Sequence, residues 1–164
     1  MSITNNLKST TVDFTIDSLF IGGDPSTTQI TLTALGAGAE AAIGATLPRG
    51  TIVYNIPYSN GSVSTSWFPL GAGWSNFNSI LVDESSGASH PPTFGILVHD
   101  TPTDDDGTVT SYIYTSGRFN KQELLAINDG DSFLFFDGNA MTATEKEVIV
   151  NLLLAQGFDI VNVI

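Results

Sequence analysis

The stretch from Pro91 to Leu125, PPTFGILVHDTPTDDDGTVTSYIYTSGRFNKQELL, constrains the fold of this chain more than any other. Phe94, Ile96 and Val98 alternate with Gly95, Leu97 and His99, so a strand here has two apolar faces rather than one wet and one dry. That predicts a central strand buried on both sides. Thr101 to Gly107 then supplies Pro102, which fixes φ, and Asp106-Gly107, which tolerates positive φ, so the chain can reverse without strain. Beyond the turn, Val109, Ile113 and Thr115 alternate with Thr108, Thr110, Tyr112 and Tyr114 in β-branched and aromatic company. The pattern predicts a long hairpin that stops at a Gly-centred break, Ser116-Gly117-Arg118-Phe119.

Composition narrows what such a hairpin can belong to. The 164 residues fit one domain, which at that length buries roughly 70% of the surface of its unfolded chain and needs no staple. There are no cysteines, so disulfides, thiolate metal sites and cysteine nucleophiles are excluded. Five Lys+Arg stand against 17 Asp+Glu, a net charge of −12, and this argues against a nucleic-acid partner, whose phosphates require clustered cations. No apolar run reaches membrane-spanning length, and no basic-then-apolar leader opens the chain, so neither a membrane nor a secretory route is expected.

Residues 1 to 46 read as an N-terminal arm and strand-like extension, and residues 47 to 164 as a β core. Val12, Phe14 and Ile16 alternate with Asp13, Thr15 and Asp17, and Leu19 to Ile21 continue the apolar character until Gly22-Gly23-Asp24-Pro25 is expected to stop it. Ile30, Leu32 and Ala34 then alternate again. Two readings stand side by side. The segment can pack onto the domain as edge strands, or it can act as an arm whose Val12, Phe14, Ile16, Leu19 and Ile21 dock on a partner's sheet edge by main-chain pairing.

From Leu47 the punctuation is that of a compact, mainly β domain with short α-helices. Thr51 to Ile56 reads as a strand ended by Pro57, and Asn60-Gly61 as the tight turn of a hairpin returning from Val63 to Leu70. Gly71-Ala72-Gly73 breaks that strand, Ile80-Leu81-Val82 is a further apolar triplet, and Asp83 to Pro92 is a loop. Two helices are expected. Asn120 as N-cap with Glu123 at the third position predicts one over Lys121 to Ile127. Thr142 with Glu145 predicts the other, with Val148, Ile149, Leu152 and Leu153 on one stripe and Gly157 as its left-handed terminator. Phe133 to Phe136 and the last seven residues read as strands, and removing the latter is expected to unfold or dissociate the protein.

Chemistry-bearing residues do not assemble into a recognisable set. His90 and His99 lack metal-ligand spacing, and His99-Asp100 reads better as a capped strand end than as a base with its orienting carboxylate. Asp104-Asp105-Asp106 are consecutive with no closing Glu, unlike a calcium loop, and read as a solvated hairpin tip. Asp129-Gly130-Asp131 and Asp137-Gly138-Asn139 are most simply turns, though either could weakly hold a cation. No cofactor is implied. Tyr58, Trp67, Phe68 and Trp74 would suit a sugar platform, yet aromatics in the middle of a β domain are more often core.

Three pieces together carry a family resemblance. Leu47-Pro48-Arg49-Gly50-Thr51-Ile52-Val53, the Phe94-Gly95-Ile96-Leu97 run with its return strand and Ser116-Gly117-Arg118-Phe119, and the helix from Thr144 to Gln156 followed by Phe158 to Ile164 resemble, in order and spacing, bacteriophage head decoration proteins of the lambda protein D type. The likeness spans roughly residues 47 to 164. It implies a small bent-ribbon (β-clip or β-tulip-like) domain and a homotrimer on the outer surface of an expanded capsid at three-fold positions. It also implies the major capsid protein as partner and no enzymatic activity. The expected location is the virion surface, and the host cytoplasm before assembly. A surface adhesin binding glycan through the Trp67 to Phe77 aromatics is the alternative, and a small hydrolase, whose carboxylate separation is a three-dimensional quantity, is a third.

Overall fold

A computed structural model of the chain describes residues 17–33, 46–55, 58–59, 62–63, 65–71, 92–102, 108–128, 132–138 and 141–163. The strands are β1 (Phe20–Thr33), β2 (Thr46–Leu47), β3 (Ile52–Asn55), β4 (Tyr58–Ser59), β5 (Ser62–Val63), β6 (Ser66–Pro69), β7 (Thr93–Leu97), β8 (Thr101–Pro102) and β9 (Thr108–Asn120). A 3-10 turn (Lys121–Glu123), β10 (Leu125–Asn128), β11 (Ser132–Phe135), helix α1 (Ala143–Ala155) and β12 (Phe158–Val161) complete the chain. The protein is mainly β with a mixed sheet and one α-helix among the described residues.

The main sheet runs β1-β6-β3-β7-β9-β12, and β1 also pairs with β9, so five of its strands close on themselves. Closure leaves the ring without a free edge along its paired stretches, which is how β domains avoid edge-to-edge association. The seam is uneven. β1 follows β9 antiparallel from Phe20↔Phe119 to Thr33↔Thr108, whereas β1 meets β6 in parallel only at Thr31↔Ser66 and Leu32↔Trp67.

Alternation along the strands sorts the apolar residues into two cores. Ile30, Leu32, Val53, Leu97 and Ile113 form one cluster with Trp67 against it, so every strand of the ring contributes and the cluster fills its interior. Ile52, Tyr54, Phe94, Ile96 and Phe119 point the other way and are covered by Ile149 and Leu153 of α1, with Leu124 and Phe158. The expectation of a central strand with two apolar faces holds: β7 lies between β3 and β9, and Phe94, Ile96 and Leu97 are each at most 1% exposed. Gly95 faces Ile113 so closely that a Cβ there would sit 2.9 Å from the Ile113 Cβ, a separation real side chains do not adopt. The glycine lets β7 approach β9.

Several local expectations hold as well. β7 and β9 form the hairpin, and Tyr58↔Val63 pairs β4 with β5 across the Asn-Gly turn position. Thr142 Oγ1 accepts the Glu145 N–H at 3.2 Å while Glu145 Oε2 accepts the Thr142 N–H at 2.8 Å, and Gly157 ends the helix at φ +96°. Other expectations are corrected. Residues 120 to 127 are not a helix: Asn120 caps a single 3-10 turn, and the chain then leaves as β10. Ser116 to Phe119 does not break β9, which runs through Gly117 at φ +133°. A Cβ there would lie 2.7 Å from the Phe20 ring, which stacks on Tyr114 at 5.6 Å, so the glycine makes room for an aromatic crossing. Gly22 to Pro25 does not stop the N-terminal strand either. Between Gly22 and Ser26, β1 advances four residues while β9 moves two, from Arg118 to Ser116, so the loop-forming residues are absorbed as a bulge.

Candidate docking rim

β1 starts opposite the end of β9, and β12 finishes beside that same end, Val161 pairing Asn120 in parallel. The N-terminal part of the described chain and its last strand therefore share one rim of the sheet. β7 and β12 occupy the same flank of β9 in succession, β7 at Ile113 and Tyr114, β12 from Gly117 onward. Gln156 bridges them. Its Oε1 accepts the Phe94 N–H at 2.8 Å and its Nε2 donates to Pro92 O at 2.7 Å, so one side-chain amide continues the ladder where no strand can. Among the described residues β12 pairs only with β9, which leaves its other edge open, with Val163 41% exposed just beyond it. Across the paired edge, Arg118 and Asp159 are register partners joined at 2.7 Å.

The start of β1 is clamped to this rim. Asp17 Oδ1 accepts the N–H groups of Leu19 and Phe20 at 3.0 and 3.1 Å, and its Oδ2 lies 2.6 Å from the Arg49 guanidinium. Arg49 also donates from Nε to Val98 O at 3.0 Å and from its backbone N–H to Asp100 Oδ1 at 2.7 Å. Partial burial alone would raise the Asp17 pKa, but the guanidinium and the two backbone N–H groups outweigh it and hold the carboxyl below its usual value. Burial would likewise lower Arg49, and its bonds to Asp17 and Tyr114 reverse that sign. The described chain thus begins at a fixed point.

Of the arm residues read from the sequence, Leu19 is 2% exposed and belongs to the outer core, and Ile21 is half-buried on β1. Leu19 to Thr33 packs onto the domain, the first of the two readings of this segment. Val12, Phe14 and Ile16 lie outside the described residues.

The other candidates are separated in the same way. His99 is exposed after β7, and the Asp100 carboxylate is taken by the Arg49 N–H rather than oriented toward a base. Asp137 pairs with Lys121 at 2.8 Å. His90, Asp104 to Asp106, Asp129 to Asp131, Trp74 and Phe77 lie outside the described residues, as does the side chain of Tyr58. Among the described residues no three His, Asp or Glu side chains gather as a metal site, and no helix is long and apolar enough to cross a membrane. Trp67 is half-buried against the ring interior and Phe68 is 36% exposed. The Asp17–Arg49 clamp went unread in the sequence, because nothing local links two residues 32 apart. The sequence matches no model of a known protein family and no curated protein.

Proposed function

We propose that this chain is a structural virion protein that binds the outside of an expanded phage capsid at three-fold positions and holds neighbouring major capsid subunits together. The observation that supports this reading is the rim. A carboxylate clamp fixes the described chain at Asp17, its first residue, and the edge of β12 that is unpaired among the described residues lies at the same end of β9. An arm tethered at a rigid point loses less freedom on docking than one that leaves a mobile terminus. The alternation of Val12, Phe14 and Ile16 suits addition to a sheet edge, where main-chain bonds give affinity and alternate side chains give register.

Three copies around a symmetry axis would present three such rims, so modest contacts become long-lived through effective concentration. Binding to the expanded shell alone stabilises that shell by mass action, with no bond made or broken. A trimer carries 3 × −12 = −36 charges, so its inter-subunit contacts must be apolar or neutral, with carboxylates turned outward. The protein then stays in the host cytoplasm until heads expand. Light scattering tests the assembly: the full chain is expected at 3 × 17.3 kDa, about 52 kDa, at working concentration or in the presence of heads. A mass that stays at 17.3 kDa under both conditions would contradict the trimer.

A further inference from the structure

β1 and β6 touch at two register pairs and then part. The gap between them is a cleft of about 570 Å³ whose walls include Gln29 and Thr31 of β1, Asn55 of β3, Thr65, Trp67 of β6 and Thr110 of β9. We infer that this cleft, where β1 splays from β6 beside Trp67, is a binding site for a neutral saccharide. The inference goes beyond the capsid role and does not rest on it.

The strand pleat turns Gln29, Thr31 and Thr110 to where a ligand can reach them. Ile30 and Leu32 are 6% and 1% exposed and point into the ring, so Gln29 and Thr31 between them face out. On β9, Ser111 and Ile113 are buried, which turns Thr110 and Tyr112 outward. Thr31 pairs with Thr110 and Gln29 with Tyr112, so hydroxyls, an amide and a 48% exposed phenol ring form one continuous patch beside the cleft. The wall is also held in place. Asn55 Nδ2 donates to Ser66 O at 2.7 Å, and Trp67 leans on the ring interior, so its indole does not have to be ordered on binding.

The chemistry selects the ligand class. Carboxamides and hydroxyls both donate and accept, which is what sugar hydroxyls require of their partners. An indole face, negative at its centre, suits the C–H face of a pyranose. Among the described residues no lining side chain is charged, and the chain is −12 overall, so the described walls offer no guanidinium or ammonium of the kind a phosphate, sulfate or carboxylate would need. A wholly apolar ligand would desolvate the side chains of Gln29, Thr31, Thr65 and Thr110 without offering them hydrogen bonds. The volume lies within the usual range of roughly 300–1,000 Å³ for small-molecule sites.

The test is saturation-transfer NMR with titration calorimetry on the full-length protein, using maltotriose, cellotriose, chitotriose and lactose, with sialyllactose as the charged counterpart of lactose. At least one neutral sugar is expected to bind saturably, and sialyllactose more weakly than lactose or not at all. Gln29→Ala and Thr110→Val change exposed positions, and each is expected to weaken binding about fivefold with the thermal midpoint retained. Failure of all four neutral sugars to bind at millimolar concentration would overturn the inference. So would tighter binding of sialyllactose than of lactose, or binding indifferent to both substitutions. Because the free protein is used, the result is independent of whether capsids are bound.

Discussion

Asp17 and Arg49 meet at 2.6 Å and tie the start of β1 to the chain that leads into β3. The pair is about one-third exposed on both sides, so water screens much of the charge attraction. What the carboxylate adds is geometric, because it also accepts two backbone N–H groups that begin β1. Asp17→Asn keeps an oxygen for those groups and removes the charge, and is expected to lower stability by about 1 kcal/mol at pH 7. The pKa of Asp17 is depressed in the folded state. Its contribution is therefore present above the unfolded value of 3.8 and lost as pH falls through the lower folded value. Urea unfolding of both proteins should show a gap at pH 7 that closes in acid, whereas a gap unchanged with pH would contradict the clamp.

Gly95 and Ile113 set how tightly the ring closes. Gly95→Ala places a methyl group 2.9 Å from the Ile113 Cβ and 3.1 Å from its Cγ1, inside a filled interior. Overpacking of this kind costs about 1–3 kcal/mol. In a double-mutant cycle, Ile113→Val should recover part of the loss of Gly95→Ala while destabilising the parent, since it removes the nearest atom of the clash. Additive effects would mean that β7 and β9 are less closely apposed.

Gln156 stands in for a missing stretch of strand. Gln156→Ala leaves the Phe94 N–H and the Pro92 carbonyl without those partners beside a buried ring and is expected to cost about 1–3 kcal/mol. Hydrogen exchange locates the effect. The Phe94 amide should lose protection in the variant before amides in the middle of β9 do, and equal loss throughout would indicate global destabilisation instead.

Legibility in the sequence followed the range of the interaction. The capping box at Thr142 and Glu145 and the hairpin of β7 with β9 are written in neighbouring residues, and both are present. The pairing of β1 with β9 joins Thr28 to Ile113, 85 positions on, and no local pattern encodes it. Asn120 illustrates the opposite failure. It does cap, accepting the Gln122 N–H at 3.2 Å, but the Leu125 N–H reaches Gly50 O at 3.0 Å and the Ile127 N–H reaches Leu70 O at 2.9 Å. Those tertiary bonds outcompete the helix that the local signal favours. Gly22-Gly23 and Gly117 read as breaks because glycine marks both turns and bulges, and only the partner strand decides between them. For the arm, alternation marked stickiness without depth: Leu19, inside the same apolar run as Ile21, is a core residue.

The proposed role rests on docking at the rim, and cosedimentation with expanded, empty phage heads, the partner that role requires, tests it most directly. A variant lacking residues 1–16 keeps Asp17 with its Arg49 partner and the buried Leu19 while removing Val12, Phe14 and Ile16, and its thermal midpoint is measured alongside. The full chain is expected to pellet with expanded heads and not with unexpanded ones, and the shortened chain to remain in solution with both. A full chain that stays in the supernatant with expanded heads, or a shortened chain that pellets as well as the full one, would contradict it.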